Sequence, residues 1–227
     1  FIAVGDRGTL VRSVDRGRVW ESRPTGVTGS LHGVAAGDGT FVVVGAGGAL
    51  LRSEDAGRTW SRRTTPRDVD WLAVAWGNGT FVAVGAGGAV ARSTDAGRSW
   101  TAVSLDTSEE LRCVAFGNGV FVAGGPIYSA WKSADGAAWM RVETSVTMMS
   151  WVRFLDGRFA ADGQSIPALI SWSADGTSWE SRSSGIFEVV NDVAAGDGAL
   201  VAVGDWGGPI FLSQDGGATW IPRRTRV

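Results

Sequence analysis

The sequence predicts an all-β fold, a six-bladed β-propeller of four-stranded antiparallel blades, on three observations. One short motif recurs six times at constant spacing, β-branched segments punctuated by glycine run between its copies, and helical periodicity is absent. The motif reads Ser53-Glu-Asp55-Ala-Gly57-Arg-Thr-Trp60, and its serines are Ser13, Ser53, Ser93, Ser133, Ser173 and Ser213, a step of 40 each time. A unit of that length cannot bury its apolar face alone, so copies must stack. Four-stranded sheets repeated radially give one blade per repeat.

The six copies are completed by Asp15 and Trp20, Asp55 and Trp60, Asp95 and Trp100, Asp135 and Trp139, Asp175 and Trp179, and Asp215 and Trp220. The Asp135 and Asp175 copies are one residue shorter between Asp and Trp. Asp and Ser side chains accept hydrogen bonds from nearby backbone N–H groups and tighten a turn. Glycine takes the positive φ that a side chain resists. Tryptophan lays a large ring back on the sheet and brings an indole N–H that needs a partner. These twelve Asp and Trp residues are therefore assigned to structure. The pattern S-x-D-x-G-x-x-W resembles the Asp-box (BNR) repeat of sialidase-type propellers and their non-enzymatic relatives, and the likeness covers essentially the whole chain.

One repeat, taken in order, shows the blade. Leu31 to Ala36 forms strand A and ends at Gly37-Asp38-Gly39, a two-residue hairpin signal. Phe41-Val-Val-Val is strand B, closed by Gly45-Ala-Gly-Gly48; Ala49 to Ser53 is strand C; the box follows; and strand D runs from Trp60 to about Thr64. Strand A opens on an apolar residue in each later blade (Leu31, Trp71, Leu111, Trp151, Val190), and the turn after it carries Asp38, Asn78, Asn118, Asp156 or Asp197 before glycine. Blades are expected at about 1–28, 29–68, 69–108, 109–148, 149–187 and 188–227 within one domain. Phe1 aligns with Phe41, so the first blade lacks its innermost strand. Lost residues, or membership of a larger ring, would account for that.

Composition excludes several function classes. With 227 residues, 44% of them hydrophobic, the chain can bury a sizeable core. A net charge of −2 gives no reason to expect nucleic acid or anionic membrane. Of 21 basic residues only Lys132 is lysine, which reads as composition bias. No apolar run approaches membrane-helix length. With a single cysteine, Cys113, and a single histidine, His32, neither a disulfide, a His-rich metal site nor a Ser-His-Asp triad can be assembled. Glycine-rich segments such as Gly45 to Gly48 precede strands, not helices, so they offer no phosphate cradle. No cofactor and no metal are expected.

Function is sought where the repeat breaks. The family resemblance puts the boxes at the periphery and the B–C and D–A loops on the ligand face. The B–C loop is bare Gly-Ala-Gly-Gly in blades two and three, but becomes Gly125-Pro-Ile-Tyr128 in blade four, Asp162-Gly-Gln164-Ser-Ile-Pro167 in blade five and Gly204-Asp205-Trp206 in blade six. Tyr128 and Trp206 then form an aromatic platform with Gln164 and Asp205 beside it, or else plug the channel or pack on adjacent blades. Arg153 and Asp192 share one strand-A position in neighbouring blades and read either as a polar ligand site or as an inter-blade ion pair. A further arginine group (Arg23, Arg63, Arg182, Arg223) follows the box tryptophans by three residues and reads as edge protection on the outer strand, with an acidic partner as the lesser reading.

Sialidases of this fold share an arginine triad, a Tyr–Glu pair and a Phe/Tyr-Arg-Ile-Pro motif; the last is absent here, and Tyr128 has no adjacent glutamate. Glu188, Asp192 and Asp205 remain as carboxylates for other glycoside hydrolysis, with nothing to pair them. The reading is a non-enzymatic module recognising a glycan or a protein through the loops of blades four to six. A glycoside hydrolase and a purely architectural subunit are the alternatives. The resemblance extends to propeller-type photosystem assembly factors and to secreted repeat proteins, and implies an extracellular or periplasmic setting.

Overall fold

The computed structural model describes residues 1–126, 128–162, 164–204 and 208–223. It is an all-β, six-bladed propeller whose elements follow the 40-residue repeat. Blade 1 has three strands, β1 (Ile2–Val4), β2 (Leu10–Arg12) and β3 (Glu21–Ser22). Blade 2 has β4 (Leu31–Gly37), β5 (Thr40–Gly45), β6 (Ala49–Ser53) and β7 (Ser61–Arg62). Blade 3 has β8 (Trp71–Gly77), β9 (Thr80–Gly85), β10 (Ala89–Ser93) and β11 (Thr101–Val103), with a 3-10 turn at Ala86–Gly88. Blade 4 has β12 (Cys113–Gly117), β13 (Val120–Gly124), β14 (Ser129–Ser133) and β15 (Met140–Glu143). Blade 5 has β16 (Trp151–Leu155), β17 (Arg158–Asp162), β18 (Leu169–Ser173) and β19 (Glu180–Ser183). Blade 6 has β20 (Val190–Gly196), β21 (Ala199–Gly204), β22 (Ile210–Ser213) and β23 (Ile221–Arg223). Each sheet is a simple meander. Strand D is shorter than the sequence suggests, because the box tryptophan lies outside it in every blade.

The A–B hairpins follow from their residues. Asp38, Asn78, Asn118, Asp156 and Asp197 all take φ between 47° and 51°, and the glycine after each is also positive. Two successive left-handed residues make the type I′ turn whose twist matches antiparallel strands.

Each box is held by a hydrogen-bond circuit of its serine and aspartate, closed by the indole in all but the Trp220 copy. In the Ser53 copy, the serine hydroxyl donates to Asp55 Oδ1 at 2.8 Å and accepts the Gly57 N–H at 2.9 Å. Asp55 Oδ1 accepts the N–H groups of Arg58 and Thr59 at 3.0 and 2.9 Å. The Trp60 indole donates back to the Gly57 carbonyl at 3.3 Å, so its N–H is satisfied inside the motif. In the shorter Asp135 copy the carboxylate meets Ala137 and Ala138 instead, one residue earlier. The carboxylates are consequently stabilised as anions. Backbone and hydroxyl donors of Thr59 hold Asp55 well below the usual carboxylate range, and the Thr219 hydroxyl and N–H bring Asp215 down to about 2.

The box also joins blades. A Cβ on Gly97 would lie 2.9 Å from Val42 Cγ2 of the preceding blade, and one on Gly136 would lie 2.6 Å from Val82 Cγ2. Gly57 faces Ile2, Gly176 faces Val122 and Gly217 faces Trp172 in the same way. The glycines of the Gly57, Gly97, Gly136 and Gly176 boxes are therefore required twice, for their positive φ and for the neighbouring strand-B side chain they admit, whereas Gly217 admits the strand-C ring of Trp172. In blades 1 to 4 a cation just before the box serine reaches the next blade. Arg12 Nε donates to the Ala56 carbonyl at 2.7 Å, Arg52 to Ala96 at 2.6 Å and Arg92 to Asp135 at 2.8 Å, and Lys132 reaches the Thr177 hydroxyl at 2.8 Å. These four basic residues therefore have a structural role. Trp172 breaks the series, and there Arg158 stacks on the Trp172 ring at 3.9 Å and donates to the Gly216 carbonyl.

The chain divides into two compact units, 1–114 with 133–139, and 115–132 with 140–227. In the first, Val42, Val44, Trp71, Phe81 and Trp100 belong to one buried cluster, and Leu10, Leu31, Val43 and Leu51 to another. In the second, Trp151, Ile170, Trp172, Val190, Leu200 and Phe211 form the core. Strands β5 and β9 are covered on both faces, which is why their sequences are nearly continuous apolar runs.

Candidate functional site

Because each sheet is an A–B–C–D meander, the B–C and D–A loops share one end of the blade, and the A–B hairpins and boxes share the other. In blade 4 the two loops are bonded to each other. The Tyr128 N–H donates to the Thr147 carbonyl at 3.3 Å, the Thr144 N–H to the Tyr128 carbonyl at 2.9 Å, and the Met149 N–H to the Gly125 carbonyl at 2.9 Å. Tyr128 sits at φ 48° and is 55% exposed. Blade 5 repeats the device. The Ala168 N–H donates to the Ile186 carbonyl at 2.8 Å, and the Ser184 hydroxyl closes on the Ala168 carbonyl at 2.8 Å. Ala168 and Ile186 are buried beneath the loops, while Ile166 and Phe187 stand out at 65% and 75% exposure. Gln164, also left-handed at φ 54°, is exposed in the same loop.

Arg153 and Asp192 meet at 2.8 Å across neighbouring blades, both partly exposed. Asp192 also accepts its neighbour Val193's N–H at 2.9 Å. The inter-blade ion pair is what the structure shows at this position. Asp205 and Trp206, the blade 6 candidates, lie outside the described residues.

The corresponding loops of blades 2 and 3 are small and polar. Gly48 N–H donates to the Val69 carbonyl at 2.9 Å and Gly47 N–H to Asp70 Oδ1 at 2.8 Å, and no large apolar side chain is exposed there among the described residues. In the arginine group, Arg23 pairs with Glu21 and Arg182 with Glu180, both along their own strand segment. Arg63 lines a groove of about 500 Å³ with Arg62, Thr65 and Asp68.

Hydrolytic and metal chemistry find little to use. Asp192 is held by Arg153, and Glu188 keeps one buried oxygen with no hydrogen-bond partner among the described residues. No group of three metal-ligating side chains occurs among the described residues, Cys113 is buried, and His32 Nδ1 lies 3.0 Å from the Trp71 carbonyl. No helix among them is long and apolar enough to cross a membrane. Ile166 and Phe187 were missed in the sequence. Ile166 had a signal, an apolar residue in a loop of Asp162, Gly163, Gln164 and Ser165; Phe187, beside the equally apolar Ile186, had none.

Six meander sheets clipped together by Asp-boxes define a BNR-type propeller, the sialidase-like fold class. The chain belongs to the family of photosynthesis system II assembly factor YCF48, whose model matches residues 1–226. It is similar to the solved YCF48 bound to D1 peptide, with 22% identity, a TM-score of 0.75, and coverage of 97% of this chain and 76% of that one. YCF48 from Cyanidioschyzon merolae gives 20% identity, TM-score 0.75, and 98% and 80% coverage. The GH74 enzyme of Niastella koreensis gives 19% identity, TM-score 0.69, and 99% and 37% coverage. At these identities the likeness to the solved structures is one of fold. No curated protein matches the sequence. Family membership overturns the expected extracellular or periplasmic setting, since the family is one of photosystem II assembly factors and not of secreted proteins.

Proposed function

We propose that the chain is a non-enzymatic protein-binding propeller, which takes its partner on the B–C and D–A loop end of blades 4 to 6. The observation that carries this reading is the exposure of Tyr128, Ile166 and Phe187 on loops pinned by hydrogen bonds. Large apolar side chains exposed on hydrogen-bonded loops are what a docking surface needs: area to bury at small entropic cost. Gln164, Arg153, Asp192, Asp205 and Trp206 are proposed as its polar and aromatic surround. Membership of an assembly-factor family and the likeness to a YCF48 bound to D1 peptide favour a protein segment as partner. Among the described residues, the observation that favours a glycan is the exposed Tyr128.

The test uses the D1 peptide as probe, in fluorescence anisotropy. Tyr128→Ala with Phe187→Ser should weaken binding at least ~10-fold with thermal stability retained, as truncation of hot-spot residues does. Arg63→Ala, in the other unit, should leave binding unchanged. Full affinity in the double variant, or loss in Arg63→Ala alone, would move the surface elsewhere.

A further inference from the structure

We infer that blade 5 carries a carboxylate-binding groove at its box-bearing end, where two departures from the repeat, Trp172 and Arg158, fall together and no carboxylate follows the box serine. This is the opposite end of the sheet from the surface proposed above and does not rest on that reading.

Blade 2, alone in having a glutamate after its box serine, shows the corresponding notch neutralised. It measures about 170 Å³ and is lined by Arg52, Glu54, Asp55, Thr59 and Trp60. It is electrically closed, because Glu54 bridges Arg52 at 2.6 Å and Arg98 at 2.8 Å. In blade 5, Trp172 stands in place of Arg52, Ala174 in place of Glu54, and Arg158 enters from the hairpin where blade 2 has Thr40. The notch opens to about 380 Å³, lined by Arg158, Trp172, Ala174, Ser178, Trp179 and Glu180.

Arg158 is the functional group of this groove. Stacking on Trp172 at 3.9 Å fixes its guanidinium, and one Nη donates to the Gly216 carbonyl. That bond maintains the seam which Arg52 maintains in blade 2. The remaining N–H donors have no partner among the described residues, and the carboxylate that neutralises the notch in blade 2 is missing here. Glu180 does not replace it, since it pairs with Arg182 at 3.0 Å. A guanidinium with a free edge and one stacked face is weakly hydrated and shaped for a carboxylate. Trp179, half-buried on the lining, supplies a flat apolar wall beside it. The ligand class is thus a single carboxylate borne on an apolar or flat group, either an acidic side chain or a chain terminus.

Indole N–H signals of Trp172 and Trp179 in two-dimensional NMR provide the readout, on the whole chain. N-acetyl-phenylalanine represents a chain terminus, N-acetyl-glutamate methylamide an acidic side chain, and N-acetyl-phenylalanine amide the uncharged control. At least one acid should shift these signals saturably while the amide does not, and whichever acid binds more tightly identifies the source. Ala174→Glu rebuilds the blade 2 pattern at an exposed position. It should keep the thermal midpoint and weaken the acid's binding about tenfold by occupying the free guanidinium edge. Absent shifts, equal shifts from the amide, or unchanged binding in folded Ala174→Glu would overturn the assignment.

Discussion

At the scale of the residue, each box depends on one serine hydroxyl working in both directions. Ser53 donates to Asp55 and accepts from Gly57, and both the serine and the glycine it serves are buried. Ser53→Ala removes the acceptor and leaves the Gly57 N–H without one, which should cost about 1–3 kcal/mol in urea unfolding. An unchanged free energy would mean that the aspartate closes the turn without help. The same scale shows how neighbours in sequence part company in space. Ile186 is buried while Phe187 beside it is 75% exposed, and no local pattern separates them. Only the packing of the loop on Ala168 decides which side chain turns inward.

At the scale of the element, the blade seam is the unit that the repeat encodes. The glycine of one box, the strand-B residue it admits, and the cation before the serine recur at fixed offsets, so a single rule covers Gly57, Gly97, Gly136 and Gly176. Comparing Gly97→Ala with Gly79→Ala separates its two causes. Both glycines have positive φ, 76° and 71°, but Gly79 has open space around it whereas Gly97 meets Val42. Gly79→Ala should cost about 1 kcal/mol from backbone strain alone. Gly97→Ala should cost about 1–3 kcal/mol more, from overpacking against the preceding blade. Equal losses in chemical denaturation would show that the seam yields freely. The cation was visible in the sequence as Arg-Ser or Lys-Ser at the end of strand C. Its role was not, because its acceptor lies more than 40 residues away, on the next blade.

At the scale of the whole molecule, six boxes give stability a common dependence on pH. The folded pKa values of Asp15, Asp55, Asp95, Asp135, Asp175 and Asp215 all lie below the usual 3.8, and burial, the largest influence on Asp95, is outweighed there by donors from Ser99, Ser93 and Arg98 that bring it to about 2. A depressed carboxylate stabilises the fold above its unfolded pKa and loses that contribution as pH falls through the folded value. The urea midpoint should therefore be nearly flat from neutral pH to about 5 and fall between about 4 and 2. A midpoint insensitive to pH across that range would mean that the boxes stay closed when protonated. The fall should be gradual, because the boxes face solvent and salt screens them.

What the sequence determined by itself was the repeating part: the number of blades, the meander, the hairpin turns, the boxes and the short first blade. Each of these is written in residues within about ten positions of one another, and repetition turns a weak local signal into a strong one. Everything that joins distant positions came instead from packing. Arg153 with Asp192, Arg12 with Ala56, and the three loops that lift Tyr128, Ile166 and Phe187 into solvent are separated by tens of residues or depend on burial. Burial and long-range pairing are properties of how blades pack, and a single sequence carries no measure of either until the sheets are set side by side.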